Sequence, residues 1–212
     1  MCWRYASASR SWGRFSEEHD LEFEAGGFLK EFRLAGEYRG VEIQVRTRRR
    51  GHEQSRMRYT VYEVKLPKGV PFDLVMHAEG VLAKTSKLFG GQDIQVGRSA
   101  LDDGFMIKGD DPERVKTFLD DARVADELVE LQQARSDIKI EHAVLKCDDL
   151  WLVRDAEDIA STLDAMVEAA NAVDEATSEP HQLAVDPGSA TFEARESTEE
   201  ASVGIESYES DW

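Results

Sequence analysis

Six arginines stand out first. Arg46, Arg48, Arg49, Arg50, Arg56 and Arg58 fall within 13 residues, interrupted by one acid, Glu53. Planar guanidinium forks suit phosphate or carboxylate recognition. Such a cluster therefore reads as the contact for an anionic or protein partner. The bland alternative is a solvated hairpin whose charges keep an exposed edge from pairing. The other chemistry-bearing residues form no recognisable site. Asp102-Asp103, Asp110-Asp111, Asp120-Asp121 and Asp148-Asp149 are paired carboxylates. They lack the D-x-D-x-D-G spacing of a calcium loop, and Asp111 is explained as a helix cap. His19, His52, His77, His142 and His181 make neither H-x-H nor H-E-x-x-H, so no metal is expected. Ser99 lacks the second glycine of a nucleophile elbow. Gly90-Gly91 matches neither a phosphate-binding loop nor G-x-G-x-x-G, so no cofactor and no catalytic residue are assigned.

The charge balance limits the partners. The 212 residues carry a net charge of −17. Residues 177–212 hold nine acids and one base, a net of −8, which leaves −9 on the preceding 176 residues. An acidic surface repels phosphate backbones, so broad nucleic-acid binding is not expected. The acidic segment sets Phe192, Tyr208 and Trp212 among its carboxylates and is a second candidate contact for a basic partner. Cys2 and Cys147 are too few and too far apart for a disulfide framework, which points to a reducing compartment. The first ten residues lack the apolar stretch of a secretory signal, and no run of 18 apolar residues predicts a membrane span. Cytoplasmic localisation is the expectation.

The elements that must position these residues follow from apolar spacing. Trp12, Phe15 and His19 predict a short helix over 11–19, capped by Ser11. Leu34, Gly36 and Tyr38 alternate, as do Val41, Ile43 and Val45 across a turn at Arg39-Gly40, so two strands are predicted. A polar loop over 47–56 then leads to a strand from Tyr59 to Leu66, which makes a long hairpin with the arginines at its tip. Leu74 and Met76 predict a short strand, and Val81 to Phe89 a helix. Ile94 with Val96, and Phe105 with Ile107, predict two more strands. Asp111-Pro112-Glu113 opens a helix with Val115, Phe118 and Leu119 on its apolar face. A break at Asp120-Asp121 precedes a second helix to about Arg135. Ile138 to Cys147 reads as a hairpin that holds His142 in a strand, and Trp151 to Val153 as a further strand. Asp155 caps a long helix with the stripe Ile159, Leu163, Val167, Ala170 and Val173.

Strands that cluster between helices predict an α+β fold, with mainly antiparallel strands, helices packed against them and a long C-terminal helix. Residues 1–176 read as a single globular domain. Residues 177–212 are too polar to offset the entropy of ordering and read as an acidic disordered tail. One stretch resembles a known pattern. Phe89-Gly90-Gly91-Gln92-Asp93-Ile94-Gln95-Val96-Gly97, followed by Leu101-Asp102-Asp103-Gly104-Phe105-Met106-Ile107-Lys108-Gly109-Asp110-Asp111, is similar to uncharacterised bacterial domain-of-unknown-function families over residues 88–120. The resemblance implies no activity, cofactor or site residue. The function expected from all this is a non-enzymatic binding or scaffold domain that presents an arginine-rich hairpin. The alternative is a hydrolase or metal-dependent enzyme assembled from scattered Asp and His side chains.

Overall fold

The computed structural model describes residues 2–27, 30–50, 57–78 and 93–178. The predicted helix over 81–89 with its Gly90-Gly91 stop, the hairpin tip with Arg56, and the acidic segment beyond Ser178 lie outside the described residues. The elements are α1 (Cys2–His19), β1 (Glu22–Glu24), β2 (Arg33–Tyr38), β3 (Val41–Arg50), β4 (Met57–Lys65), β5 (Val75–Ala78), α2 (Ser99–Gly104), β6 (Phe105–Lys108), α3 (Pro112–Asp120), α4 (Ala122–Ala134), β7 (Lys139–Glu141), β8 (Val144–Leu150) and α5 (Ala156–Ser178).

Eight described strands form a sheet in the order β1-β2-β3-β4-β8-β7-β5-β6, and every neighbouring pair is antiparallel. The fold is α+β, as the clustering of strands predicts. The register explains which face is covered. Ile107, Met76, Ile140, Leu145, Val64 and Ile43 lie opposite one another in one row across six strands. All six are buried. Side chains alternate between faces along a strand, so this row places Val45, Thr47, Tyr62, Thr60 and Cys147 on the same side. The stripe of α5, Ile159, Leu163, Met166, Val167, Ala170 and Val173, closes over that face. Helices α1 and α4 flank α5.

Local chemistry explains the element ends. Asp111 caps α3 by accepting from Arg114 N at 3.1 Å, with Pro112 in the first turn. Asp121 accepts from Arg123 N at 2.9 Å and starts α4, so the Asp120-Asp121 break separates two helices. Tight turns join β2 to β3 and β7 to β8. Their central residues, Arg39 and Gly40, then His142 and Ala143, all have positive φ, at 51°, 84°, 54° and 56°. This is the turn that matches the twist of a hairpin, and glycine is its natural occupant. Ala143→Gly is therefore expected to raise stability by about 0.5 kcal/mol, where glycine ordinarily lowers it. Thermal melts of the two proteins check the sign.

Five predictions need correction. Helix α1 starts at Cys2, not at Ser11, because its buried stripe includes the small Ala8 ahead of Trp12 and Phe15. Strand β3 runs on to Arg50 and β4 starts at Met57, so 47–50 are not loop. The buried side chains there are Thr47 and Arg58, polar residues that hide the alternation. Ile94 and Val96 form no strand. Ile94 N makes one backbone bond to Ile107 O at 2.8 Å, but Asp93 takes Ile107 N at 2.8 Å and Asp102 takes Val96 N and Gly97 N at 2.8 and 2.9 Å, so side chains take the place of a continued ladder. Trp151 makes one isolated bridge to Tyr59 and no strand follows. His142 sits in a turn, not in a strand.

Candidate functional site: the open face of the sheet

Among the described residues no helix packs on the other face of the sheet, and charged side chains make up much of it. From β1 inwards, Arg33 donates to Glu24 at 3.3 Å. Gln44 turns its amide oxygen to Arg33 and its nitrogen to Glu63, each at 3.2 Å. Arg46 donates to the other oxygen of Glu63 at 3.0 Å. Lys65 pairs with Glu42 at 2.6 Å, and Lys146 with Glu141 at 3.1 Å. Arg50 reaches over the ring of Tyr59, 5.3 Å from its centroid, to Asp148, which Lys139 also approaches at 3.5 Å. Opposite charges on neighbouring strands stabilise a sheet by fractions of a kcal/mol per pair. Their main effect here is to neutralise the face pairwise.

The sheet divides the arginines between its two sides. Arg46, Arg48 and Arg50 alternate with Thr47 and Arg49, so they point to the open face. Arg49 and Arg58 lie opposite each other in the register and share the covered side. Arg58 is buried, donates to Gly27 O at 2.9 Å and lies 5.0 Å over the Tyr5 ring. Burial lowers its pKa from the ordinary value. It is therefore a packing residue of α1 and the hairpin. Arg46 and Arg50 are engaged in the ion pairs above. Arg48 is exposed, and its charge has no ion pair among the described residues. The predicted tip thus contributes a row of three arginines, of which Arg48 is the available member.

A groove of about 740 Å³ crosses the same face. Ala35 and Val144 are among its apolar lining, with Arg33, Lys65 and Lys146 among its charged lining. Phe72 is 68% exposed at one end and faces the His142 ring at 5.3 Å. Leu150 and Trp151 are the other large exposed hydrophobics among the described residues. Sequence reading missed all three. Their signal was an aromatic or aliphatic side chain beside turn residues, outside any period that would bury it.

The groups an enzyme would need are committed elsewhere. His77 is buried in β5, with Nε2 3.1 Å from Glu141 Oε1. That hydrogen bond, helped by Lys146 and opposed by burial, holds the Glu141 carboxyl at about 2, against an ordinary 4.5. A depressed folded pKa contributes stability above pH 4.5 that is lost as pH falls through about 2. Glu141→Gln is expected to cost about 1.5 kcal/mol at neutral pH and progressively less between pH 4.5 and 2. Denaturant melts of both proteins at several pH values measure this; a pH-independent difference would contradict it. Burial pushes the Cys147 thiol up, and its Sγ sits 3.4 Å from Met166 Sδ, so the thiol is inert. Among the described residues no three His, Cys, Asp or Glu side chains gather as a metal site. No helix among them is long and apolar enough to cross a membrane.

No family model matches the chain, and no curated protein matches it. Among solved structures, the crystal structure of the mycobacterial trehalose monomycolate transport factor A, TtfA, aligns with 80% of this chain and 94% of its own, at 11% identity and a TM-score of 0.48. At that distance no residue or role carries across.

Proposed function

We propose that the chain is a non-enzymatic binding or scaffold domain that offers the open face of its sheet to a partner. The arginine row takes the partner's anionic part. The supporting observation is the asymmetry of the sheet. Its helical face is filled by a core, while its other face carries a groove, the exposed Phe72 at the end of that groove, the exposed Leu150 and an arginine without an ion pair among the described residues. The competing reading, a hydrolase or metal-dependent enzyme, would need convergent acid, base or ligand groups in a pocket. The His77–Glu141 pair is used structurally, and Arg33, Lys65 and Lys146 in the groove are held in ion pairs, which favours binding. A cytoplasmic setting belongs to the same reading, supported by the buried free thiol of Cys147.

The test is binding of a fluorescent polyglutamate peptide to the full chain. Arg48→Glu is expected to weaken it about tenfold and to flatten its salt dependence. Arg58→Lys, on the covered side, is expected to leave it unchanged. Unaltered binding in Arg48→Glu would remove the arginine row from the account.

A further inference from the structure

Strands β3 and β4 outrun their neighbours. Residues 48–50 pair with 57–59, whereas the ladder to β2 stops at Arg46 and the ladder to β8 stops at Thr60. Tyr59 and Leu150 lie on the open face at this end, since they alternate with Thr60 and Asp149. Trp151 follows. Trp151 is 54% exposed and Leu150 is 49% exposed.

The backbone at Trp151 is held as firmly as a core residue. Its N–H donates to Arg58 O at 2.7 Å, and its carbonyl accepts from the buried Thr60 hydroxyl at 2.9 Å. The same hydroxyl accepts from Val153 N at 3.0 Å, and Val153 O accepts from the buried Trp12 indole at 3.0 Å. Yet Trp151 has φ of 83°, a conformation natural to glycine and strained for a bulky side chain. A turn that needs only glycine carries instead a large ring left half in solvent. The fold does not require that ring. An exposed tryptophan on an anchored backbone, following Leu150 and bridged to Tyr59, which itself pairs with Arg48, has the composition of a binding hot spot.

We propose that Arg48, Tyr59, Leu150 and Trp151 form a docking patch for a protein segment that combines acidic residues with an apolar anchor. The inference rests on the binding-domain reading above and specifies its partner. Charge complementarity selects the acidic part. At this end of the open face Arg46 and Arg50 are neutralised by Glu63 and Asp148, while Arg48 brings a positive charge with no ion pair among the described residues. Trp151 and Leu150 select the anchor. The net −9 over residues 1–176 opposes an extended polyanion such as nucleic acid or an anionic bilayer, whereas a short acidic segment needs one local positive site.

Two synthetic peptides of roughly ten residues test this, one of glutamate and serine and one with a central leucine-tryptophan pair. The full chain is expected to bind the anchored peptide about tenfold more tightly. Trp151→Gly is expected to abolish that preference and leave binding of the plain peptide unchanged. Because φ suits glycine, this variant is also expected to melt higher than Trp151→Ala, which keeps loss of binding separate from loss of fold. Arg48→Glu is expected to weaken both peptides. Plain-peptide binding with no preference for the anchor overturns the docking patch and spares the binding-domain reading; failure of both peptides to bind the unaltered chain overturns both. A preference that survives in Trp151→Gly overturns the patch. So does tighter, Trp151-dependent binding to phosphatidylglycerol vesicles or single-stranded DNA than to the anchored peptide.

Discussion

Replacing Trp12 with alanine is expected to cost about 4 kcal/mol, a large share of the stability of a domain of this size. The indole is fully buried. It packs against Phe32 and Phe23, with centroids 5.5 and 6.4 Å away. Its Nε1 donates to Val153 O at 3.0 Å and so ties α1 to the segment that leads into α5. Alanine would leave a cavity lined by aromatic rings and orphan a carbonyl. Trp12→Phe keeps most of the volume and loses the hydrogen bond, so about 2 kcal/mol is expected. Urea denaturation separates the two. A cost below about 1 kcal/mol for the alanine variant would mean that α1 is not seated on the sheet.

The second large effect is expected at Arg135, just beyond α4. Its guanidinium meets Asp137 at 3.2 Å and Asp149 at 2.9 Å. Asp137 also accepts from Asp148 N at 2.6 Å, so one cation holds the end of α4 to β8. Burial acts to lower the pKa of Arg135, but Cys147 and the two aspartates facing it raise it on balance. Arg135→Met leaves two half-buried carboxylates unpaired and facing each other. A loss of about 3 kcal/mol is expected, the lower end for a broken buried pair because these groups keep some solvent. Adding Asp149→Asn is expected to recover part of it. Full additivity of the two losses would show that Arg135 and Asp149 do not interact.

The parts of the fold that were legible in the sequence are those where burial and period coincide. Val41, Ile43 and Val45 alternate, and the stripe of α5 repeats near 3.6, because one side of each element faces a single core. The α3 cap was legible because its three residues each satisfy one requirement of a helix start. Other features were hidden for physical reasons. Thr47 and Arg58 continue the covered face with polar side chains: Thr47 accepts from Phe32 N at 2.9 Å, and Arg58 donates to Gly27 O at 2.9 Å. The strand period therefore looked broken where it was intact. Ala8 carries the stripe of α1 in too small a side chain to register. The His142-Ala143 turn has neither glycine nor asparagine to announce it.

The candidate site was legible in composition but not in arrangement. The arginine cluster was visible as six residues, yet strand alternation sends Arg58 and Arg49 to one side and Arg46, Arg48 and Arg50 to the other. Their partners Glu63 and Asp148 come from other strands, so the sequence showed charge without showing its neutralisation. Trp151 was hidden for the opposite reason. Three apolar residues in a row read as a strand, whereas the chain there turns at positive φ and leaves the ring outside.

The central claim is that one side of the sheet is core and the other receives a partner. Backbone amide chemical shifts, recorded while the acidic peptide with its apolar anchor is added, test it most directly. Changes are expected along residues 46–50, 57–63 and 144–151, with the amides of α4 and α5 left in place. Changes centred on those helices, with β3, β4 and β8 silent, would contradict it.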